Sequence, residues 1–285
     1  MLLPPSGATG TPAGGSDLPN DFKDAVFRAS RQTYEFIKSG GTRCRVEFDT
    51  SVGDMTFTTI KNAAPVLKEM SKFLAELADL SRPVLANAQM EVTRSLRIFY
   101  PDMGVAAMTR RDWKLGTAEA EVPPCVFTAN IMNDNLAPTD KLVIIACPLY
   151  SEVDAVKRIL DMCEANSVPC IMLNPQLINM DQGFGVRARN LRKGLLDSFT
   201  TTYKLKTLRE GAVVREHPLL FTVWKEEATQ QDGYRALGTS VTDPTFEEID
   251  NLMEGITAEE AANGGNPVLG AINEVVSFFQ GMSKL

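Results

Sequence analysis

The stretch from Lys141 to Pro175, KLVIIACPLYSEVDAVKRILDMCEANSVPCIMLNP, constrains the fold more than any other part of the chain. Leu142 to Cys147 is a continuous apolar run, too short for a helix and rich in Val and Ile, which predicts a strand buried on both faces. Pro148 ends it, since proline has no N–H to give a sheet ladder. Ser151 and Asp154 stand at capping-box spacing, and Val153, Val156, Ile159, Leu160 and Cys163 recur at helical spacing up to a stop at Asn166. Pro169 to Leu173 is a second short apolar run, closed by Asn174-Pro175. Strand, helix, strand is a right-handed βαβ unit, and its sheet must be covered on both sides.

The flanking sequence extends this unit in two directions. Upstream, a helix is predicted from Asp21 to Gly40-Gly41, then a strand over Arg43 to Phe48 whose alternation puts Arg43, Arg45 and Glu47 on a solvated side, at or near a sheet edge. A long helix follows up to about Leu80, with Asn62 as its cap so that Pro65 falls in the first turn. Ser95 to Tyr100 is the next strand, Gly104 opens a short helix, and Thr117 to Asp140 is expected to be a long connection. Downstream, a helix is expected near Val186 to Ser198. After it, alternating runs around Tyr203, Ala212 to Glu216, Leu219 to Glu226 and Tyr234 to Val241 predict an antiparallel meander. The fold class is therefore α/β, a mixed sheet with a parallel, Rossmann-like first part and an antiparallel meander at the C-terminal side. The organisation expected is a disordered leader over 1–20, an α/β domain over 21–242, and an acidic arm with an amphipathic helix over 243–285.

A chain of 285 residues can bury roughly three quarters of its unfolded surface without a staple. Its five cysteines form no C-x-x-C pair, and three lie at core positions of the βαβ unit, which reads as thiols serving as small apolar side chains. No run reaches the ~18 apolar residues of a membrane span, and the start as written has no secretory signal pattern. Net charge is -7, yet Ala236 to Ser283 holds eight acids and no Lys or Arg, so the body is near neutral and nucleic-acid binding through many phosphate contacts is not expected. Pro267 to Met282 carries Val268, Leu269, Ile272, Val275, Val276, Phe279 and Met282 on one side of a helix. That face must be buried against its own domain, a partner protein or a membrane surface, the last disfavoured because its polar side has no basic residue before Lys284.

Chemistry has few footholds. His217 is the lone histidine, so a histidine-based zinc set is impossible, and a strand-end histidine before Pro218 reads as structural. Neither a P-loop, a G-x-G-x-x-G turn nor a G-x-S-x-G elbow occurs, and no cofactor is implied. Three parallel strands end at proline-marked turns, and ligands in open α/β sheets bind outside such ends; Asp102 and Asn174 are the polar residues placed there. Arg187, Arg189 and Arg192 (with Lys193) form a basic stretch suited to a carboxylate or phosphate.

The blocks GGTRCRVEFDTS, RIFYPDMGVAAMTRRDW, VIIACP, IMLNPQL, GVRARNLRKGLLDSFTTTYKLKTL and GAVVREHPLLFTVWK occur in that order between Asp21 and Lys225. Together they resemble the Low PSII Accumulation 3-like family, an uncharacterised plastid and cyanobacterial domain that is also found fused to a chloroplast adenylate kinase. The resemblance carries no catalytic residues; Asp102, Asn174, Arg187, Arg189, Arg192 and Tyr203 are matched positions without an assigned role. It implies a place and a process: the chloroplast stroma, peripheral to the stromal side of thylakoids, and a non-catalytic protein-interaction factor in photosystem II assembly or a peripheral subunit of a photosynthetic complex. The partners implied are photosynthetic membrane-complex proteins, with no nucleic acid and no membrane span. The alternative is a ligand-binding or enzymatic α/β domain that recognises a nucleotide or another phosphorylated small molecule.

Overall fold

The computed structural model describes residues 14–49, 59–81, 84–86, 89–91, 93–178, 191, 193–230 and 233–255. Helix α1 (Phe22–Lys38) starts at Asp21, whose carboxylate accepts from the Asp24 N–H, and leads into β1 (Arg43–Phe48). Helix α2 (Thr59–Leu77) and a small hairpin, β2 (Val84–Ala86) with β3 (Gln89–Glu91), come next. Then follow β4 (Leu96–Tyr100), α3 (Met103–Asp112), β5 (Val126–Asn130), β6 (Leu142–Ala146), α4 (Val153–Ala165) and β7 (Cys170–Leu173). The chain continues through β8 (Thr200–Leu208), β9 (Gly211–Glu216), β10 (Phe221–Glu226) and β11 (Tyr234–Ser240) to α5 (Phe246–Glu254).

Nine strands form one sheet in the order β11-β10-β9-β8-β1-β7-β6-β4-β5. From β8 through β5 every neighbouring pair is parallel, and β8 to β11 form the antiparallel meander. The mixed α/β sheet expected from the sequence is the fold. At the β8–β9 hairpin, a side chain on Gly211 would run into the Trp224 carbonyl, so that corner requires glycine.

The two faces are covered differently. Helices α1, α2 and α3 cover one, over Val46, Ile98, Ile144, Ile171, Leu205 and Val214. On the other face, α4 buries Val156, Ile159, Leu160 and Cys163 against Val143, Ile145, Cys170 and Met172. Each large side chain there contributes about 1.5–3 kcal/mol, and truncating Ile159 to Ala would cost about 2–5 kcal/mol. Also on that face, α5 sets Ile249 against Val213, Phe221, Val223 and Leu237 of the meander.

Several local expectations are corrected. β1 lies in the middle of the sheet, between β7 and β8, so its alternation does not mark an edge. Helix α2 begins at Thr59, three residues before Asn62, so Pro65 is inside the helix. Its ring faces water, where the carbonyl it leaves unpaired can be hydrated. The stretch Thr117 to Asp140 contains β5, a parallel edge strand beside β4. Helix α4 is entered through a turn over Tyr150–Glu152, where the Glu152 carboxylate accepts the Leu149 N–H at 2.7 Å, in place of the expected Ser151–Asp154 box.

Both ends of the domain reach into residues expected to lie outside it. Ser16 is fully buried: its hydroxyl donates to the Leu220 carbonyl and accepts from the Glu216 N–H, and its carbonyl accepts from the Trp224 indole. At the other end, α5 is capped by a Thr245–Glu248 box and closed by Gly255 in a left-handed conformation (φ 74°).

Candidate functional site

The chain reverses direction across the sheet at the carboxyl ends of the parallel strands. From β4 the connection runs to α3 on one face, and from the neighbouring β6 it runs to α4 on the other. Such a switch point opens a crevice between strand ends. Asp102 and Asn174 both lie at this end of the sheet, but β6 stands between their strands, about 9–10 Å of sheet. Each is engaged with backbone. Asp102 caps α3 by accepting the Val105 N–H at 3.0 Å. Asn174 Oδ1 accepts the Phe48 N–H at 2.7 Å and its own N–H donates to the Val46 carbonyl, which ties the end of β7 to β1. Its Nδ2 is buried without a hydrogen-bond partner.

Asn174 (φ 47°) and Cys147 (φ 48°) are both left-handed, and each precedes a proline, a pairing that backbone sterics disfavour. The two kinks match. Beyond them the chains stay in parallel register, with the Gln176 N–H donating to the Pro148 carbonyl. A cavity of about 300 Å³ is lined by Tyr150 from the turn before α4, by Asp154 and Lys157 from the start of α4, and by Leu191, Gly194 and Leu195.

Three large apolar side chains are exposed at this end of the sheet, among polar ones such as Asp102, Asn133 and Ser151. Met103 follows β4, Met132 follows β5 and Leu149 follows β6, and their exposures are 60%, 54% and 40%. These three strands are neighbours in the order β6-β4-β5, so the side chains form a rim around one corner of the sheet. Met108 on α3 is exposed as well.

The other predicted residues fall elsewhere. Arg187, Arg189 and Arg192 lie outside the described residues, as do Val268, Leu269, Ile272, Val275, Val276, Phe279 and Met282. Tyr203 is a core residue, fully buried and stacked on Phe48 at 5.2 Å, and burial pushes its hydroxyl pKa up. His217 sets its ring edge-on to Phe36 at 5.4 Å. Burial and the nearby Arg215 hold its pKa below the usual imidazole value, so it is neutral at pH 7. All five thiols are buried, and burial raises Cys44 and Cys147 to about 12, so these sulfurs are protonated and poor nucleophiles. Among the described residues no cluster of three or more His, Cys, Asp or Glu could hold a metal.

Sequence reading missed a charged seam on the sheet face shared by α4 and α5. Between the apolar patch under α4 and the patch under α5, strands β1, β8 and β9 present Arg45, Glu47, Lys204, Lys206 and Arg215. Lys204 Nζ contacts Glu47 Oε2 at 2.9 Å and Asp243 Oδ2 at 2.5 Å, and Arg45 lies 3.3 Å from the same Glu47 carboxylate. Burial alone would raise the pKa of Glu47, but Lys204 and Arg45 outweigh it and hold the carboxyl below its usual range. The Lys206 ammonium sits 3.8 Å from the centre of the Phe246 ring, and the Arg215 guanidinium 4.4 Å from that of Phe221. Arg43, Arg45 and Glu47 alternate along β1 in the sequence. A charged run read as solvated in fact crosses the centre of a sheet.

The family model described as Domain of unknown function (DUF1995) matches residues 19–251, most of the chain, and the chain belongs to that family. No curated protein matches it. Among the described residues no helix is long and apolar enough to cross a membrane.

Proposed function

We propose that this DUF1995 protein is a non-catalytic protein-interaction factor that docks on a photosynthetic membrane complex, in photosystem II assembly or as a peripheral subunit. It would work from the stromal side of the thylakoid. Place and process rest on the six-block resemblance to the Low PSII Accumulation 3-like family. The mode of action rests on one observation, the rim of Met103, Met132 and Leu149 at the carboxyl end of β4, β5 and β6. Exposed large apolar side chains gathered at one corner favour association, and the unbranched methionine adapts to irregular partner surfaces. Buried, protonated thiols and a neutral, edge-packed imidazole support binding over turnover.

The test is recovery of photosystem II core subunits from solubilised thylakoids. The wild-type chain, a Met103→Glu/Met132→Glu variant and a chain ending at residue 255 serve as baits. Loss of recovery with the rim variant supports the reading, and undiminished recovery overturns it. The truncated chain reports on Val268, Leu269, Ile272, Val275, Val276, Phe279 and Met282, whose apolar face is a second proposed contact.

A second reading, a domain that recognises a nucleotide or other phosphorylated molecule, draws on the 300 Å³ cavity with Lys157 at its wall. A thermal-shift panel of nucleotides and sugar phosphates, repeated with Lys157→Ala, checks it. A ligand present at a hundredfold excess over its Kd adds about 2.7 kcal/mol to apparent stability, and a flat panel removes this reading.

A further inference from the structure

We propose that the charged seam on β1, β8 and β9 is an oxyanion site that takes the phosphate group of a small phosphorylated molecule, held chiefly by Arg215 and Lys206. The site lies on other strands than the α4 cavity and does not depend on the apolar rim.

Four cations, Arg45, Lys204, Lys206 and Arg215, share this sheet face with Glu47 and Asp243, and a third carboxylate, Asp49, lies beside Lys206 and accepts from the Thr207 N–H and hydroxyl. Lys204 engages both carboxylates, and Arg45 shares Glu47 and donates from Nε to Thr201 Oγ1 at 2.7 Å. Among the described residues, neither Lys206 nor Arg215 has a carboxylate within ion-pair distance. Each rests on an aromatic ring, and Arg215 also donates from Nη1 to the Val241 carbonyl at 3.1 Å.

Sheet register aggravates the imbalance. Lys204 is the direct cross-strand neighbour of Arg215, and Lys206 follows two residues along on the same face. Like charges in such positions repel, and the apolar patches on either side lower the dielectric in which they do so. Burial and a neighbouring cation, Lys204 for Lys206 and Arg45 for Arg215, lower the pKa of both groups despite partial compensation by Asp243 and, for Lys206, also by Asp49 and Glu47.

One donor is left over. Arg215 Nε is buried and has no hydrogen-bond partner, although a buried donor is normally satisfied. With Nη1 turned to the Val241 carbonyl, no acceptor among the described residues engages the Nε side of the guanidinium, and an oxyanion reaches it by displacing the groups that cover it. That edge suits an oxyanion, because a guanidinium can offer two parallel N–H groups to two oxygens of one group. A phosphate monoester carries about -1.5 to -2 at neutral pH, opposite in sign to the one net positive charge that Glu47, Asp243 and Asp49 leave among the four cations.

The experiment is calorimetric titration of the full chain with inorganic phosphate and with glycerol 3-phosphate, repeated for Arg215→Gln, Lys206→Gln and a surface control, Arg235→Gln. Saturable one-to-one binding is expected, weakened about tenfold or more by each seam substitution and unchanged in the control. A wild-type chain that takes up neither ligand at millimolar concentration, or seam variants that bind as well as wild type, overturns the proposal. Should a seam variant fail to fold, nitrogen-15 NMR of the wild-type arginine side chains decides. The Arg215 Nε resonance is expected to move with phosphate, and a resonance that stays fixed through the titration counts against the site.

Discussion

Lys204 and Arg215 stand directly opposite each other on β8 and β9, two cations in register near the middle of a sheet. Lys204 is held there by carboxylates from two distant parts of the chain, Glu47 on β1 and Asp243 after β11. The ion pairs thus join the parallel half of the sheet to the segment that leads into α5.

Replacing Lys204 with Met should destabilise the chain by about 1–3 kcal/mol, because Glu47 is left largely buried without its nearest cation. The pH dependence has a definite sign. The Glu47 carboxyl has a lowered pKa in the folded state, so its contribution is present above the usual glutamate pKa and is lost as pH falls through the lowered folded value. In Lys204→Met that folded value rises, and acid unfolding followed by circular dichroism should begin at a higher pH than in wild type.

Asp140 is completely buried in its side chain and accepts both Arg97 Nε, at 2.6 Å, and the Ala137 N–H, at 2.7 Å. Arg97 in turn stacks on Phe127 at 4.2 Å, so it locks β4 to the edge strand β5. Asp140→Ala strands the guanidinium in the interior and should cost about 3–5 kcal/mol in urea unfolding. Asp112→Ala, which breaks a surface pair with Arg111, should cost less than about 1 kcal/mol.

Cys44 and Cys147 hold their protons up to about pH 12 in the folded chain, against an ordinary thiol value near 9.0. As pH rises past that ordinary value the unfolded chain loses these protons first, so folding stability should fall between about pH 9 and 12. At pH 8, alkylation by iodoacetamide should proceed only at the rate at which the chain opens. Prompt modification of either thiol in the native protein would contradict this account of their burial.

The sequence conveyed the parts of the fold that rest on hydrophobic period. Leu142 to Cys147, the α4 stripe and the runs of the meander carry uninterrupted local signals, and the structure contains all of them. The strand β5 escaped because Thr128 and Asn130 interrupt its apolar character and Pro123-Pro124 precede it, as an edge strand tolerates. The position of β1 escaped for a different reason. Alternation reports that one side of a strand is polar; Arg45 pairs with Glu47 on the same strand, but the second cation on Glu47, Lys204 of β8, and the Asp243 carboxylate that Lys204 also holds come from far along the chain. Long-range pairing leaves no local trace. Asp102 and Asn174 do lie at strand ends, but the Val105 and Phe48 N–H groups they serve are set by the geometry of the turns, which no sequence pattern encodes.

The most direct test of the docking account is hydrogen–deuterium exchange on the full chain, alone and with solubilised photosystem II core complexes. Slowed exchange is predicted in the segments that carry Met103, Met132 and Leu149, which surround one corner of the sheet. Unaltered exchange in those three segments, when the complex is present in excess, would contradict it.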